Sequence, residues 1–265
     1  MIPKTIHYVW VGDAPMPQKV LDCIESWRRF CPGWEIRKWG NDFAKTVENR
    51  YVREALSNCK WAFVSDWIRL YALVECGGFY LDTDMEMEKP LDDLVDDKFV
   101  ISWERMNGRT NFNCGVIGCE AGNEVAKGLL SLYDDLPFVK PGGELDQTPI
   151  TVRFVDHFES VWKVCPSKDG MDVVRFGDGG VVYPWTYFLP GGGYTRHLYN
   201  ASWLDPWLRK AWFRVGPYKL VRFKRRKEVP ASAPVALLPG ERRVASFPIG
   251  RRKCISLIRT EVSNG

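Results

Sequence analysis

Residues 61–84 read W-A-F-V-S-D-W-I-R-L-Y-A-L-V-E-C-G-G-F-Y-L-D-T-D, and two structural periods meet inside that stretch. From about Lys60 to Cys76 the apolar spacing predicts a helix. Gly77-Gly78 is its natural stop, because glycine adopts the left-handed backbone of helix ends at little cost. Phe79-Tyr80-Leu81 then opens an apolar strand that turns acidic at Asp82-Thr83-Asp84. A helix feeding straight into such a strand is an α/β element, and open α/β sheets bind ligands beyond the carboxyl ends of their strands. Side chains at i and i+2 of a strand share a face, so both carboxylates are expected to converge on one point. Two hard oxygen donors there suit Mg²⁺ or Mn²⁺ shared with phosphates and water. Taken alone, a D-x-D is more often a solvated acidic turn.

One helix earlier, Ser65-Asp66-Trp67-Ile68-Arg69 puts Asp66 and Arg69 three residues apart on one helix face. There they pair with each other at the surface or grip a single ligand. A carboxylate beside a guanidinium clamps sugar hydroxyls well, one accepting and the other donating.

Working outward, Thr5 to Val11 reads as a buried strand, Val20 to Phe30 as a helix and Trp34 to Trp39 as a second strand, which together make a parallel α/β unit. Further strands are predicted at Phe99 to Trp103 and Phe112 to Cys119, with helices near Glu124 to Tyr133 and Pro149 to Phe158. No stretch of about 18 apolar residues predicts a membrane span, and the first residues lack the pattern of a signal peptide. Cytoplasmic residence is therefore expected. The eight cysteines contain no C-x-x-C pair, and their scatter through apolar patterns predicts reduced, buried thiols over disulfides or zinc.

The 265 residues carry 37 Lys and Arg against 33 Asp and Glu, a net charge of +4 that conceals two unlike parts. After Asp205 stand 15 basic and 3 acidic residues, a net of +12, which leaves −8 for the first 205. From Pro206 onward W-L-R-K-A-W-F-R-V-G-P-Y-K-L-V-R-F-K-R-R-K mixes aromatic and basic side chains without an acid. The predicted organisation is an α/β domain over residues 1–205 and a basic, aromatic-rich appendage over 206–265, weakly ordered beyond about Lys227.

Three stretches taken together, I-P-K-T-I-H-Y-V-W-V-G at 2–12, residues 61–84, and H-L-Y-N-A-S-W at 197–203, resemble the family-32 glycosyltransferases. That group spans yeast-type initiating mannosyltransferases and bacterial capsular and lipopolysaccharide sugar transferases, with the large clostridial glucosylating toxins more distant. The resemblance covers about residues 2–205 and implies a GT-A type, Rossmann-like α/β domain that uses a nucleotide-sugar donor, Mn²⁺ or Mg²⁺, and retention at the anomeric carbon. It implies that Trp10 stacks on the nucleobase, that Asp66 and Arg69 hold the donor sugar, and that Tyr80 lines the donor pocket. It further implies that Asp82 and Asp84 bind ribose and metal-diphosphate, Asp84 more directly, so that Asp66, Arg69 and Asp84 form the catalytic set. The 197–203 motif would return to the same site, with Ser202 and Trp203 at the nucleotide-sugar. His197, Asn200 and Ser202 compete to complete the metal site, and His197 is the choice because neutral imidazole ligates Mn²⁺. His7 reads as a structural hydrogen-bonding residue and His157 as a helix-surface one.

On the acceptor side, Asn111 to Gly115 and Asp146-Gln147-Thr148-Pro149 occupy places where relatives carry acceptor-facing loops. Gly142-Gly143 and Gly191-Gly192-Gly193 read either as closing loops or as ordinary turns. The expected reaction transfers a hexose, from a UDP-sugar by preference, to a glycan or lipid-linked acceptor in surface polysaccharide synthesis, with GDP-mannose as the alternative donor. A glycoside hydrolase pair fits less well, since its carboxyls flank the scissile bond about 5 Å or more apart. A non-enzymatic membrane-surface adaptor is the reading from a different class. The tail is expected to bind an anionic membrane, each basic residue adding about 1 kcal/mol, which would place the protein on the inner face of the membrane. Nucleic acid is not expected as a partner, because the body is acidic and lacks a nucleic-acid-binding motif.

Overall fold

The computed structural model describes residues 1–106, 108–188 and 193–198, and four strands at 207–215, 218–225, 241–248 and 253–260. The chain divides into two units, Met1–Tyr199 and Asn200–Gly265. In the first, β1 (Thr5–Val9), α1 (Gln18–Phe30) and β2 (Glu35–Trp39) form the predicted unit, with β1 and β2 parallel from Thr5 opposite Glu35 to Val9 opposite Trp39. Two short helices that the sequence reading passed over follow, α2 (Asn41–Thr46) and α3 (Arg50–Ser57). α3 buries only Tyr51, Val52 and Ala55, too few to make a clear period, although Asn49 caps it by accepting from the Val52 N–H at 3.2 Å.

Next come α4 (Trp61–Cys76), β3 (Gly78–Leu81), β4 (Met85–Met87), β5 (Phe99–Met106), β6 (Arg109–Phe112) and β7 (Val116–Cys119). After these are α5 (Glu124–Ser131), α6 (Ile150–His157), β8 (Val174–Phe176), β9 (Gly180–Tyr183) and β10 (Thr195–His197). The main sheet runs β2-β1-β3-β7-β5-β9-β8, with β6 paired to β5, and β10 pairs β4 separately. β1 is parallel to both of its neighbours and β5 to β9, while β7 is antiparallel to β3 and to β5. The domain is thus mixed α/β. Alternate residues of each strand feed two cores, Tyr80, Ile101 and Ile117 on the face toward α3 to α6, and Phe79, Leu81, Val100 and Val116 on the face toward α1.

The passage from α4 to β3 is built on glycine. Gly77 has φ +63° and ψ −165°, a region that other residues hardly enter, and Gly78 has φ +97°. A Cβ on Gly78 would stand 2.6 Å from the Thr5 carbonyl oxygen, so the two chains approach as closely as backbone allows. His7, fully buried in β1, closes the junction: Trp39 Nε1 donates to its Nδ1 at 3.1 Å, which leaves Nε2–H to donate to the Gly77 carbonyl at 2.7 Å. Its structural reading is borne out, and burial holds its pKa below 6.5 despite the Gly77 bond. His157 is half-buried against Gly128 rather than on the helix surface.

Cys23, Cys31, Cys59, Cys76, Cys114, Cys119 and Cys165 are free; Cys23, Cys31, Cys114 and Cys119 are buried as expected, whereas Cys59 and Cys165 are exposed. Among the described residues no helix is long and apolar enough to cross a membrane. The second unit holds β11 (Trp207–Val215), β12 (Tyr218–Arg225), β13 (Glu241–Pro248) and β14 (Lys253–Thr260), an antiparallel sheet in the order β11-β12-β14-β13. Two of those strands lie past Lys227, where weak order was expected.

Candidate active site

β1 and β3 lie side by side with His7 opposite Tyr80, so the residues just past their carboxyl ends, Trp10 on one and Asp82-Thr83-Asp84 on the other, emerge at one edge of the sheet. The strand stops at Leu81, and Asp82 to Met85 form a tight turn closed by Met85 N–H donating to the Asp82 carbonyl at 3.0 Å. This corrects the expectation of two carboxylates at i and i+2 of a strand. The turn sends the carboxylates to different partners.

Asp82 belongs to a cluster centred on Arg69. Arg69 Nη2 donates to Asp66 Oδ1 at 2.9 Å, and Nη1 donates to the Cys114 carbonyl at 2.7 Å and lies 3.2 Å from Asp82 Oδ1. Its guanidinium also stands 4.5 Å from the centre of the Tyr80 ring, whose hydroxyl donates to Asp82 Oδ1 at 2.7 Å and meets Ser65 Oγ at 3.1 Å. The Asp66–Arg69 pair is therefore no surface ion pair, its side chains being 9% and 7% exposed. Burial pushes the Asp66 carboxyl up to about 7, with Arg69 pulling it back and Asp82 adding to the rise. Burial opposes the charge on Arg69, but Asp82, Tyr80 and Asp66 more than offset it and keep the guanidinium cationic. Arg69 Nε is buried with no hydrogen-bond partner within the fold.

Asp84 faces His197. β10 lies antiparallel to β4 with His197 opposite Met85, and Leu198 N–H donates to the Asp84 carbonyl at 2.9 Å. His197 Nε2 comes to 3.4 Å from Asp84 Oδ1, both side chains being 15% exposed. α1 holds this corner from below, Trp27 Nε1 donating to the Met85 carbonyl at 2.7 Å and Ser26 Oγ accepting from Met87 N–H at 2.8 Å. Burial would lower the His197 pKa, yet Asp84, Asp82 and Glu104 together raise it above 6.5.

Glu104, which the sequence reading did not single out, reaches the same corner from β5, its Oε1 3.9 Å from His197 Nδ1. Burial raises its pKa; His197 works against that rise, while Asp82 and Asp84 add to it. Its alternation partner Trp103 is fully buried in the opposite core, which explains why Glu104 points inward at the site.

The predicted strand from Phe112 to Cys119 is broken by Asn113-Cys114-Gly115, and the break serves the site. Gly115 carbonyl accepts from Asp82 N–H at 2.8 Å, and a Cβ on Gly115 would lie 3.2 Å from both Asp82 Oδ2 and Asn113 Oδ1. Asn113 is 1% exposed, with its Oδ1 bound to Gly115 N–H and its Nδ2 unpaired. The loop at 146–149 uses its polar groups internally, since Asp146 binds Arg153 at 2.6 Å and Thr148 Oγ1 at 2.6 Å. Gly142-Gly143 forms an ordinary hairpin turn, Lys140 N–H donating to Glu144. Gly191, Gly192, Asn200, Ser202 and Trp203 lie outside the described residues.

Trp10 rims a cleft of about 690 Å³ with Gly12, Pro15, Met16, Lys38, Asn41 and Phe43, a volume within the range of small-molecule sites. Its indole N–H is held by the Ala14 carbonyl at 3.0 Å, and Asn41 pins the loop by accepting from Gly12 N–H at 2.8 Å and donating to the Gly12 carbonyl at 3.2 Å. Among the described residues no three His, Cys, Asp or Glu side chains form a ready metal cage. The Asp84–His197 pair with Asp82 and Glu104 nearby does fit a divalent cation of the Mn²⁺ or Mg²⁺ type. Such ions take one or two carboxylates and complete their shell with phosphates and water.

Residues 17–100 match the family described as the glycosyltransferase sugar-binding region containing a DXD motif. The chain is 27% identical over 159 residues to "Subversion of eukaryotic traffic protein A" of Legionella pneumophila, covering 48% of this chain and 24% of that protein. It is 30% identical over 132 residues to an uncharacterized glycosyltransferase of Acanthamoeba polyphaga mimivirus, covering 47% and 53%. The chain therefore spans about a quarter and about half of the lengths of these relatives. A solved structure described as PaToxG glycosyltransferase is similar over 49% of this chain and 60% of that one, with a TM-score of 0.40 and 17% identity.

Proposed function

From the match of residues 17–100 to the glycosyltransferase sugar-binding region containing a DXD motif, we propose that the chain carries a family-32 type glycosyltransferase domain and is a retaining, metal-dependent hexosyltransferase. Its donor is a nucleotide-sugar, UDP-linked by preference, and its acceptor a glycan or lipid-linked saccharide of surface polysaccharide. The observation that carries this reading is the Arg69 cluster beside the Asp84–His197 corner, both at the carboxyl ends of β1 and β3. One half offers a carboxylate and a guanidinium to sugar hydroxyls, and the other offers oxygen and nitrogen donors to a cation.

In this reading the nucleobase lies in the Trp10 cleft against the indole, where stacking tolerates any base. Asp66 and Arg69 orient the sugar, while Tyr80 holds Asp82 in place for the ribose or the metal-diphosphate. Asp84 and His197 hold the divalent cation, with Asp82 at its margin. When bound, that cation offsets the charge that grows on the departing diphosphate. The acceptor hydroxyl oxygen bonds to the anomeric carbon as the bond from that carbon to the diphosphate oxygen breaks, and the acceptor proton passes to the leaving oxygen. Attack from the leaving-group face retains configuration without a protein nucleophile. The strongly basic second unit, by this proposal, holds the enzyme on the anionic inner face of a membrane, next to lipid-linked acceptors.

A panel of nucleotide-sugars incubated with Mn²⁺ or Mg²⁺ tests the reading without an acceptor. Release of nucleoside diphosphate from one UDP-sugar is expected. Release from GDP-mannose alone would replace the donor, and cleavage of an oligosaccharide without nucleotide or metal would replace transfer with hydrolysis.

A further inference from the structure

The second unit sets like charge against like. In its sheet, β11-β12-β14-β13, residues at opposed register positions share a face. Lys210 stands opposite Arg222, Lys224 opposite Lys253 and Arg242 opposite Arg259, and the register across the four strands places all three pairs on one face. Like charges directly opposite each other destabilise a sheet. Glu241, the one acid among the paired positions, stands opposite Thr260 on the other face, so no carboxylate shares a face with those pairs. Two of the pairs adjoin. Arg222 and Lys224 are i and i+2 on β12, so Lys210, Arg222, Lys224 and Lys253 make one block across β11, β12 and β14. Opposed positions of an antiparallel pair are about 5 Å apart and i, i+2 positions about 7 Å, close enough for four cations to serve two neighbouring phosphate groups.

An apolar row separates that block from the Arg242–Arg259 pair. Leu220 stands opposite Leu257, and the register shifts by one residue between Ala211 and Phe213 and between Arg243 and Ala245, which brings Phe213 and Ala245 into the same row. A nucleic acid would use the cations and leave the aliphatic row idle, since bases stack on aromatic rings. A bilayer interface takes both, phosphates at the basic positions and apolar groups at the acyl boundary. We propose that this face of the second unit is a binding site for lipid headgroups that carry clustered phosphates, with Lys210, Arg222, Lys224 and Lys253 as the phosphate-binding block. The inference rests on the membrane reading above and narrows it from a diffuse basic surface to one face and one class of headgroup. The repulsion within the opposed pairs is then offset when the headgroup is bound.

The test sediments the full-length protein with phosphatidylcholine vesicles that carry either phosphatidylserine or phosphatidylinositol bisphosphate at equal total negative charge, the second lipid being the clustered-phosphate probe. Wild type is compared with a block variant, Lys210→Gln, Arg222→Gln, Lys224→Gln and Lys253→Gln together. The control is an opposite-face variant of equal charge loss, Arg209→Gln, Arg214→Gln, Lys219→Gln and Arg225→Gln. Each is first shown to keep its far-ultraviolet circular dichroism. Wild type is expected to bind the bisphosphate vesicles roughly 10-fold or more tighter than the phosphatidylserine ones, because charge-assisted contacts to clustered phosphates add to surface attraction. The block variant should lose that preference, and the opposite-face variant should keep it while binding both vesicles more weakly. The Lys224→Gln, Lys253→Gln double variant removes a single opposed pair, should lose part of the preference, and carries the test if the fourfold block variant does not fold.

Equal affinity of wild type for the two vesicles, or equal loss of the preference in the two fourfold variants, would overturn the inference while leaving the membrane reading in place. Inorganic pyrophosphate or single-stranded RNA bound at least as tightly as the bisphosphate vesicles would overturn it in favour of a free phosphate or a nucleic acid. A wild-type protein that sediments with neither vesicle would remove both readings.

Discussion

Arg69 is the residue on which the donor side of the site turns, because one guanidinium ties α4, the D-x-D turn and the 113–115 segment together. Lysine cannot reproduce that fork. Removing the charge with Arg69→Met leaves Asp66 buried beside Asp82 without a counter-ion, which should cost about 3–5 kcal/mol in urea unfolding. Gly115→Ala is the sharper probe of function, since the added Cβ presses on Asp82 Oδ2 and Asn113 Oδ1 at 3.2 Å with no clash in the core. Turnover should fall by up to about 10²-fold at near-normal stability, the cost of misplacing a positioning group. His7 supplies the pH dependence. Its pKa is depressed in the fold by burial, so the unfolded chain takes up the proton first as pH drops below 6.5. Stability is then complete above 6.5 and is lost as pH falls toward the folded value. The urea midpoint should fall more steeply between pH 7 and pH 5 in wild type than in His7→Gln.

At the scale of elements, the α4–β3 passage, the loop after β1 and the β4–β10 pair bring the site together. Gly78→Ala forces a Cβ to within 2.6 Å of the Thr5 carbonyl at φ +97° and should destabilise the domain by at least about 1–3 kcal/mol, measured by chemical denaturation. The passage was legible in the sequence because helix period, glycine stop and acidic strand end are contiguous there; Asp66, Arg69, Asp82 and Asp84 were singled out from it, and Tyr80 only through the resemblance. Glu104 was not read as a site residue, and Asn113 was read only within the acceptor-side segment from Asn111 to Gly115. Each is an isolated polar position on a strand or its end, and only the pairing of β5 with β6 and β7 brings them to the site. β10 is three residues long, too short to show a period, and His197 was reached by its chemistry and by resemblance. The break at residues 113–115 is invisible to alternation, which runs through it unchanged. Asp146 and Thr148 show the converse, polar residues in a suggestive loop that turn out to bind each other and Arg153.

Across the whole molecule, the net charge of +4 is the sum of −8 over the first 205 residues and +12 over the rest, and the proposal gives each part its own use. An acidic body suits a site whose anionic donor arrives with a divalent cation, so no broad basic field is required of the protein. The basic unit, an antiparallel four-stranded sheet, is the part proposed to meet an anionic surface. Full-length protein should sediment with anionic vesicles and release from them as salt rises, since exposed charges are screened beyond about 8–10 Å at moderate ionic strength. Removal of residues 206–265 should abolish sedimentation while leaving nucleotide-sugar hydrolysis intact, and sedimentation that survives the truncation would reject the membrane role. The most direct test of the transferase site is nucleoside diphosphate release from the preferred nucleotide-sugar, titrated with Mn²⁺ in wild type and in Asp84→Ala at matched thermal stability. Release that rises with Mn²⁺ in wild type and is lost in Asp84→Ala is the expected result. Release that is indifferent to chelation, or that persists in the variant, would contradict it.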